Sequence, residues 1–344
     1  MFLRNEWYVA AWDHEIDHSL VSRTILGEKI VLYRKQDGTI AALEDACPHR
    51  KLPLSMGVLV EDRVQCGYHG MEFDCTGKCV HVPSQDKIPT NVRIRHYPVV
   101  EKWNWVWIWM GDVEKADESK IIDIPHFHDA DWGINRGPAM DIACHYQYMT
   151  DNLVDPSHVS FVHKTSLGNE ETIDTPVKTS IDGTYVIVTR WLLGCNLPPF
   201  FTPRVKFQGK ADRLQHYEVR LPCMAVIKDV IAPAGSGAPE GHLHEDVFLL
   251  DSYNFITPVD EDHCRYYWFQ VRNFAPNDKI TEKELTQDFI TAFTEDVVVM
   301  EAVHQGMKEK KKKNIDLRID KGSLQGRKIL HKMIITENAQ MSGR

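Results

Sequence analysis

Two sets of metal-ligand residues at fixed spacing constrain this chain more than any other feature. Cys47-Pro48-His49 is followed, after sixteen residues, by Cys66-Gly67-Tyr68-His69. Further on, Asp155-Pro156-Ser157-His158 is followed after four residues by His163, and a candidate carboxylate, Asp296, stands far downstream. The first set offers two thiolates and two imidazoles. The second offers two imidazoles and a carboxylate. A fold that uses both sets must gather its ligands twice, around two different metals.

In the first set each ligand loop supplies one Cys and one His. Zinc could be held by the same four residues, but zinc sites ordinarily place both Cys first and both His last. One thiolate and one imidazole per loop suits two irons side by side, with both Cys on one iron and both His on the other. Neutral imidazole ligands raise the potential of such a cluster above that of an all-Cys one. Pro48 stiffens the first loop. Gly67 and Gly70 are expected to let backbone approach the cluster, with backbone N–H groups bonding its sulfurs. Cys75 and Cys79 lie just beyond and read as buried thiols.

The second set fits a different metal. Two His and one carboxylate hold non-heme iron(II) and leave positions open for dioxygen and substrate. The five-residue step from His158 to His163 brings both rings to one side if the helix ends or loosens between them. For the carboxylate, Leu285, Phe289, Ala292/Phe293, Val299/Met300 and Val303 recur at helical spacing, and Asp296 falls on that stripe. A carboxylate on a buried face is costly unless it is paired or bound to metal. On spacing alone Asp296 is either the third ligand or the partner of a core Arg. Glu295 points off the stripe and reads as solvated.

The 344 residues suffice for two domains. The first third reads as β. Lys29–Tyr33 and Thr39–Glu44 are strands joined by a turn at Asp37-Gly38. Trp103, Trp105, Trp107 and Trp109 alternate, which places all four on one side of a strand, where they read as packing against the first domain or a partner subunit rather than as an aromatic-binding row. A polar stretch, 111–119, marks the boundary, giving domains 1–113 and 114–344. In the second domain Tyr146–His163 reads as mostly helical. Strands are expected at Tyr185–Leu193, Gln215–Leu221, Val247–Thr257 and Cys264–Arg272, and a long helix at about Glu282–Glu309. Lys308–Lys313 reads as a solvated helix end. Consecutive strands without crossover helices make an antiparallel sheet, so the fold class is α+β, an all-β domain followed by a sheet covered by helices.

Composition excludes some partners. Lys+Arg 40 against Asp+Glu 49 leaves a net charge of −9 with no basic stripe, which argues against nucleic acid. No run of about eighteen apolar residues is present, and the N-terminus has no signal-peptide apolar region. Eight Cys without an export signal fit reduced thiols and metal ligands in the cytoplasm. No Rossmann fingerprint occurs, so NAD(P)H is expected to be used by a separate protein.

Taken with Asn5-Glu6-Trp7-Tyr8-Val9-Ala10, Asp151-Asn152-Leu153-Val154-Asp155 and Glu295-Asp296-Val297-Val298-Val299, both motifs make the chain resemble the Rieske non-heme iron oxygenases over nearly its whole length. Within that family it is similar to oxygenase components of the vanillate and dicamba O-demethylase type. The resemblance implies an N-terminal Rieske domain and a C-terminal sheet-and-helix domain that encloses a hydrophobic cavity. It implies a Rieske 2Fe-2S cluster on Cys47, His49, Cys66 and His69, and a mononuclear iron on His158, His163 and Asp296. Asp155 is similar to a bridging aspartate that joins an iron-site His to His69 of a neighbouring subunit, and Asn152 to a residue beside the iron. It further implies a homotrimer, a separate reductase with or without a ferredoxin, and an aromatic acid or phenol as substrate, O-demethylated with release of formaldehyde. Hydroxylation of an aryl methyl group or of the ring is the alternative outcome of the same chemistry. Lys206, Arg213 and Lys228 are candidate partners of a substrate carboxylate or sulfonate. Asn254 stands where the dicamba-type pattern carries a substrate-binding His. A pure electron carrier would need only the first third of the chain and would leave the second motif without a purpose.

Overall fold

The structure is a computed structural model and describes residues 1–164, 166–168, 170–309 and 313–342. The chain divides into two compact units, Met1–Ile124 and Pro125–Arg344. The sequence reading set the change at 113/114. Residues 114–124 instead belong with the first unit, where the indoles of Trp7 and Trp103 donate to the carbonyls of Asp117 and Ile122.

The first unit is all β. Its strands are β1 (Trp7–Trp12), β2 (Val21–Ile25), β3 (Glu28–Arg34), β4 (Ile40–Glu44), β5 (Val58–Val60), β6 (Arg63–Gln65), β7 (Glu72–Phe73), β8 (Cys79–His81), β9 (His96–Tyr97), β10 (Val99–Lys102) and β11 (Trp105–Trp109). They form three sheets, ordered β1-β11-β10, β2-β3-β4-β9 and β5-β6-β7-β8. The expected turn between β3 and β4 forms, and the Asp37 carboxylate accepts from the Thr39 amide and hydroxyl. Trp105, Trp107 and Trp109 are buried, with Trp12 and Trp7 packed against the first and last. Trp103 is not on their strand. It and Asn104 both have positive φ, 61° and 62°, and form the two-residue turn between β10 and β11. The primed turn that matches strand twist needs positive φ at both central residues, and this overrides the alternation.

The second unit is built on an eight-stranded antiparallel sheet among the described residues. Its strands are β12 (Gly133–Arg136), β13 (Met140–Ile142), β14 (Lys178–Asp182), β15 (Tyr185–Cys195), β16 (Ala211–Arg220), β17 (Met224–Pro233), β18 (Phe248–Pro258) and β19 (Cys264–Arg272). Their order is β12-β19-β18-β17-β16-β15-β14, with β13 also on β19. The helices are α1 (Tyr146–Leu153), α2 (Val159–Val162), α3 (Lys279–Glu309) and α4 (Lys321–Ser342). Tyr146–His163 is mostly helical as expected, in two short helices. Pro156 has no amide to donate and disfavours helical backbone at Asp155.

α3 starts where the Asp278 carboxylate accepts from the Ile280 amide and the Thr281 hydroxyl, an N-cap arrangement. Its apolar stripe meets the sheet through Phe289 and Phe293, which pack on Trp268 of β19. The stripe ends sooner than the spacing predicts. Val303 is exposed, and the buried residue there is His304, held by Asp262. The basic run begins in the last turn of α3 with Lys308, and its residues 310–312 lie outside the described residues.

In the second unit α4, β12, β13, β14 and β17 were not anticipated. α4 packs on β15 through Gly322, where an added Cβ would stand 2.7 Å from Val188 Cγ2. Glycine lowers helix propensity, yet here its missing side chain is what admits the strand. No helix of the described residues is long and apolar enough to cross a membrane.

Candidate metal centres and cavity

In the first unit the two ligand loops have the same backbone construction. The Cys47 amide donates to the Leu52 carbonyl and the Lys51 amide returns to the Cys47 carbonyl, at 2.9 and 2.8 Å. The Cys66 amide donates to Met71 and the Gly70 amide returns to Cys66, at 2.8 and 3.0 Å. The fourth residue after each Cys has left-handed backbone, Lys51 at φ 61° and Gly70 at φ 72°. The loops leave β4 and join β6 to β7, so both Cys drop into the core beside Leu43, Leu54 and Phe73. Asp45 anchors the first loop by accepting from the Ser55 amide and hydroxyl and from the Ser22 hydroxyl.

Both Cys are buried and both His are exposed, with the imidazole centroids 4.6 Å apart. Burial pushes the Cys47 thiol up, opposed by backbone N–H groups of His49 and Arg50 that bond its sulfur. The neighbouring Cys66 sulfur raises it further. Two thiolates this close need a cation, and the four donors present suit an iron–sulfur cluster with its His edge toward solvent. The glycines are also required by the surrounding protein. An added Cβ on Gly67 would stand 2.8 Å from the Met56 carbonyl, and one on Gly70 2.9 Å from Pro83 Cγ. Neighbouring protein already crowds both positions. Cys75 is half-buried and Cys79 buried, both as free thiols.

In the second unit one ligand atom from each of His158, His163 and Asp296 lies within 4.8 Å of the others. The break after α2 brings the two His together, with ring centroids 5.4 Å apart. Both turn Nε2 toward Asp296 Oδ1, at 3.5 and 3.3 Å. Their other nitrogens are held from behind. His158 Nδ1 meets the Asp155 carbonyl oxygen at 2.5 Å, and His163 Nδ1 meets Glu295 Oε2 at 2.7 Å. An Nδ1–H donated to either acceptor leaves the lone pair on Nε2, aimed at the shared point.

Glu295 was read as solvated. It is instead the carboxylate that orients His163, a contact between residues far apart in sequence that helical spacing could not reveal. The Asp155 carboxylate accepts from the Ser157 amide at 2.7 Å, so within one chain it is the Asp155 carbonyl that holds His158.

The donor set fits a divalent cation. Burial lowers the pKa of His158 against the pull of Asp296. For His163 burial also lowers it, but Asp296 and Glu295 outweigh burial and raise it. The two carboxylates thus favour the protonated form of His163, and a cation bound at the same point would displace that proton. Asn152 donates its Nδ2 to Asp296 Oδ1 at 3.1 Å, while its own Oδ1 is buried with no partner among the described residues. An orphaned acceptor beside the triad is what a bound cation or its water would satisfy.

The triad opens on an apolar cavity. Leu153, Val159, Phe289 and Phe293 line its helical side, and Ile227 and Leu250 its sheet side. Arg213, Tyr217, Asp229 and Ser252 are its polar residues on the sheet. Of the three candidate substrate cations only Arg213 reaches the cavity. Lys206 is exposed, and Lys228 faces Asp251 on the other side of the sheet at 3.6 Å. Asn254 is not a lining residue. Its side chain is engaged by Tyr266 and by the carbonyls of Ser252 and Ala225, and Ser252 holds the cavity position on β18.

Comparison with known proteins agrees with both centres. The Rieske 2Fe-2S domain matches residues 6–98, and the vanillate O-demethylase oxygenase C-terminal domain matches residues 142–336. The toluene-4-sulfonate monooxygenase system iron-sulfur subunit of Comamonas testosteroni is 36% identical, covering 98% of this chain and 99% of its own. A vanillate O-demethylase oxygenase subunit of Pseudomonas sp. is 33% identical, covering 98% and 96%. A crystal structure of dicamba monooxygenase bound to 3,6-dichlorosalicylic acid superposes with a TM-score of 0.90 at 29% identity, over 98% and 99% of the two chains. Another, with non-heme iron and dicamba, gives 0.82 at 27% over the same shares. The chain therefore belongs to the Rieske non-heme iron oxygenases, as an oxygenase component with a 2Fe-2S cluster and a mononuclear iron.

Proposed function

We propose that this chain is the terminal oxygenase of a system that O-demethylates a methoxy-arene, an aromatic acid or phenol. The observation that carries the reading is the buried His158–His163–Asp296 triad opening directly on an apolar cavity. Cys47, Cys66, His49 and His69 would hold the cluster, and His158, His163 and Asp296 the iron. When bound, the cluster supplies single electrons and the iron supplies activation of dioxygen. Glu295 and the Asp155 carbonyl keep both imidazoles in the metal-binding tautomer. The apolar walls orient the ring and exclude water, which protects the chemistry from side reactions. With two electrons and two protons, one oxygen of O2 enters a methyl C–H bond and the other leaves as water. The resulting hemiacetal collapses to a phenol and formaldehyde.

The exposed edges of His49 and His69 suit electron entry and exit. The Asp155 carboxylate would link His69 of a partner subunit to His158, which makes the working unit a ring, a homotrimer in this reading. A separate NAD(P)H-dependent reductase, with or without a ferredoxin, would supply electrons. Similarity to the toluene-4-sulfonate system subunit favours aryl-methyl hydroxylation as the second reading.

Mixing the protein with a compatible reductase, NADH and a panel of methoxybenzoates, methoxyphenols and aryl-methyl acids separates them. Formaldehyde formed in step with NADH loss is the expected result. A hydroxylated product without formaldehyde would move the assignment to the second reading.

A further inference from the structure

The cavity contains an ion pair that the iron chemistry does not use. Arg213 and Asp229 stand on adjacent strands, and both side chains are buried. Arg213 Nε donates to Asp229 Oδ1 at 2.8 Å. One terminal nitrogen, Nη1, reaches the Leu167 carbonyl at 3.3 Å, and the guanidinium lies 4.3 Å from the centre of the Phe201 ring. Tyr217, also buried, adds a hydroxyl on the same side of the sheet. An Arg and an Asp removed from water are expensive to keep, and apolar residues of similar size would fill such a wall at no loss of stability. Their presence on the sheet side of a cavity whose helical side carries the metal triad points to a ligand.

The charges decide which kind. The pair is neutral, so an anionic group placed beside it would leave one buried negative charge uncompensated. A neutral group that both donates and accepts is matched. We propose that Arg213 and Asp229 are specificity-determining residues that bind a ring hydroxyl of the substrate, with the Asp229 carboxylate accepting its proton and the Arg213 guanidinium donating to its oxygen. This rests on the proposed function and narrows it: the preferred substrates are methoxy-arenes that carry a phenolic hydroxyl, and an anionic substituent is directed away from this wall. A hydrogen-bonding site of this kind discriminates strongly against an analogue that cannot pair with it, because its own groups are then left unsatisfied.

The test is equilibrium binding without turnover, by calorimetry on the iron-loaded protein under anaerobic conditions. The probes are 2-methoxyphenol, 1,2-dimethoxybenzene and 2-methoxybenzoate. The parent protein is expected to bind the phenol at least about tenfold more tightly than either of the others. In Asp229→Asn the guanidinium charge is released, so 2-methoxybenzoate is expected to gain about tenfold while the preference for the phenol falls to near parity. The comparison on the parent needs no variant and stands even if Asp229→Asn does not fold. Equal or tighter binding of 2-methoxybenzoate by the parent, no detectable binding of the phenol, or an unchanged preference in folded Asp229→Asn would overturn the proposal. Phenol preference without formaldehyde in the turnover assay would instead refute O-demethylation and leave the hydroxyl site standing.

Discussion

Asp296→Ala protein is expected to keep its red-brown colour but to hold two irons per chain where the parent holds three, and to lose turnover to background. The reason is local. Asp296 is the shared partner of His158 and His163, and the proposed third donor of the candidate iron site. It lies inside α3, where Ala is a good helix former, and its removal deletes a buried carboxylate without opening the helix. The proposed cluster ligands belong to the other unit and are untouched. Iron analysis with visible spectra checks this. Three irons per chain in the variant would mean that another group completes the site.

Asp155→Asn is expected to behave differently, with all three irons retained and turnover down about 100-fold or more, the upper end for a partner of a metal ligand. The substitution is conservative within the chain. The Asn side-chain oxygen can still accept from the Ser157 amide, and His158 is held by the backbone carbonyl of residue 155, which does not change. What disappears is the negative charge proposed to link the partner subunit's His69 to His158. Steady-state rates, with iron content as the control, give the answer. A variant that turns over at the parent rate would remove Asp155 from the electron route.

The candidate metal ligands were legible in the sequence because their chemistry is written in short spacings. Cys47 with His49, Cys66 with His69, and His158 with His163 each lie within one loop or turn. Asp296 was legible in part, since a carboxylate on an apolar stripe advertises burial but not its partner. The groups around the ligands were not legible. Glu295 reaches His163 across 132 positions of sequence, and Arg213 meets Asp229 only through the register of β16 with β17. β17 itself escaped notice because Lys228-Asp229 interrupts its apolar pattern, and that same Asp229 is what makes the strand chemically interesting. α4 carries Gly322 and Gly326, which lower helix propensity, and only the strand beneath them explains their place in a helix. Trp103 shows the reverse error, a clean alternation extended into a turn.

Iron and acid-labile sulfide counted on the reconstituted parent protein test the central claim most directly, that one chain carries both an electron store and a separate oxygen-activating iron. The account predicts three irons and two sulfides per chain, with one iron removable by a mild chelator while the colour remains. Two irons and two sulfides under the same conditions would leave His158, His163 and Asp296 without a metal and contradict the oxygenase mechanism.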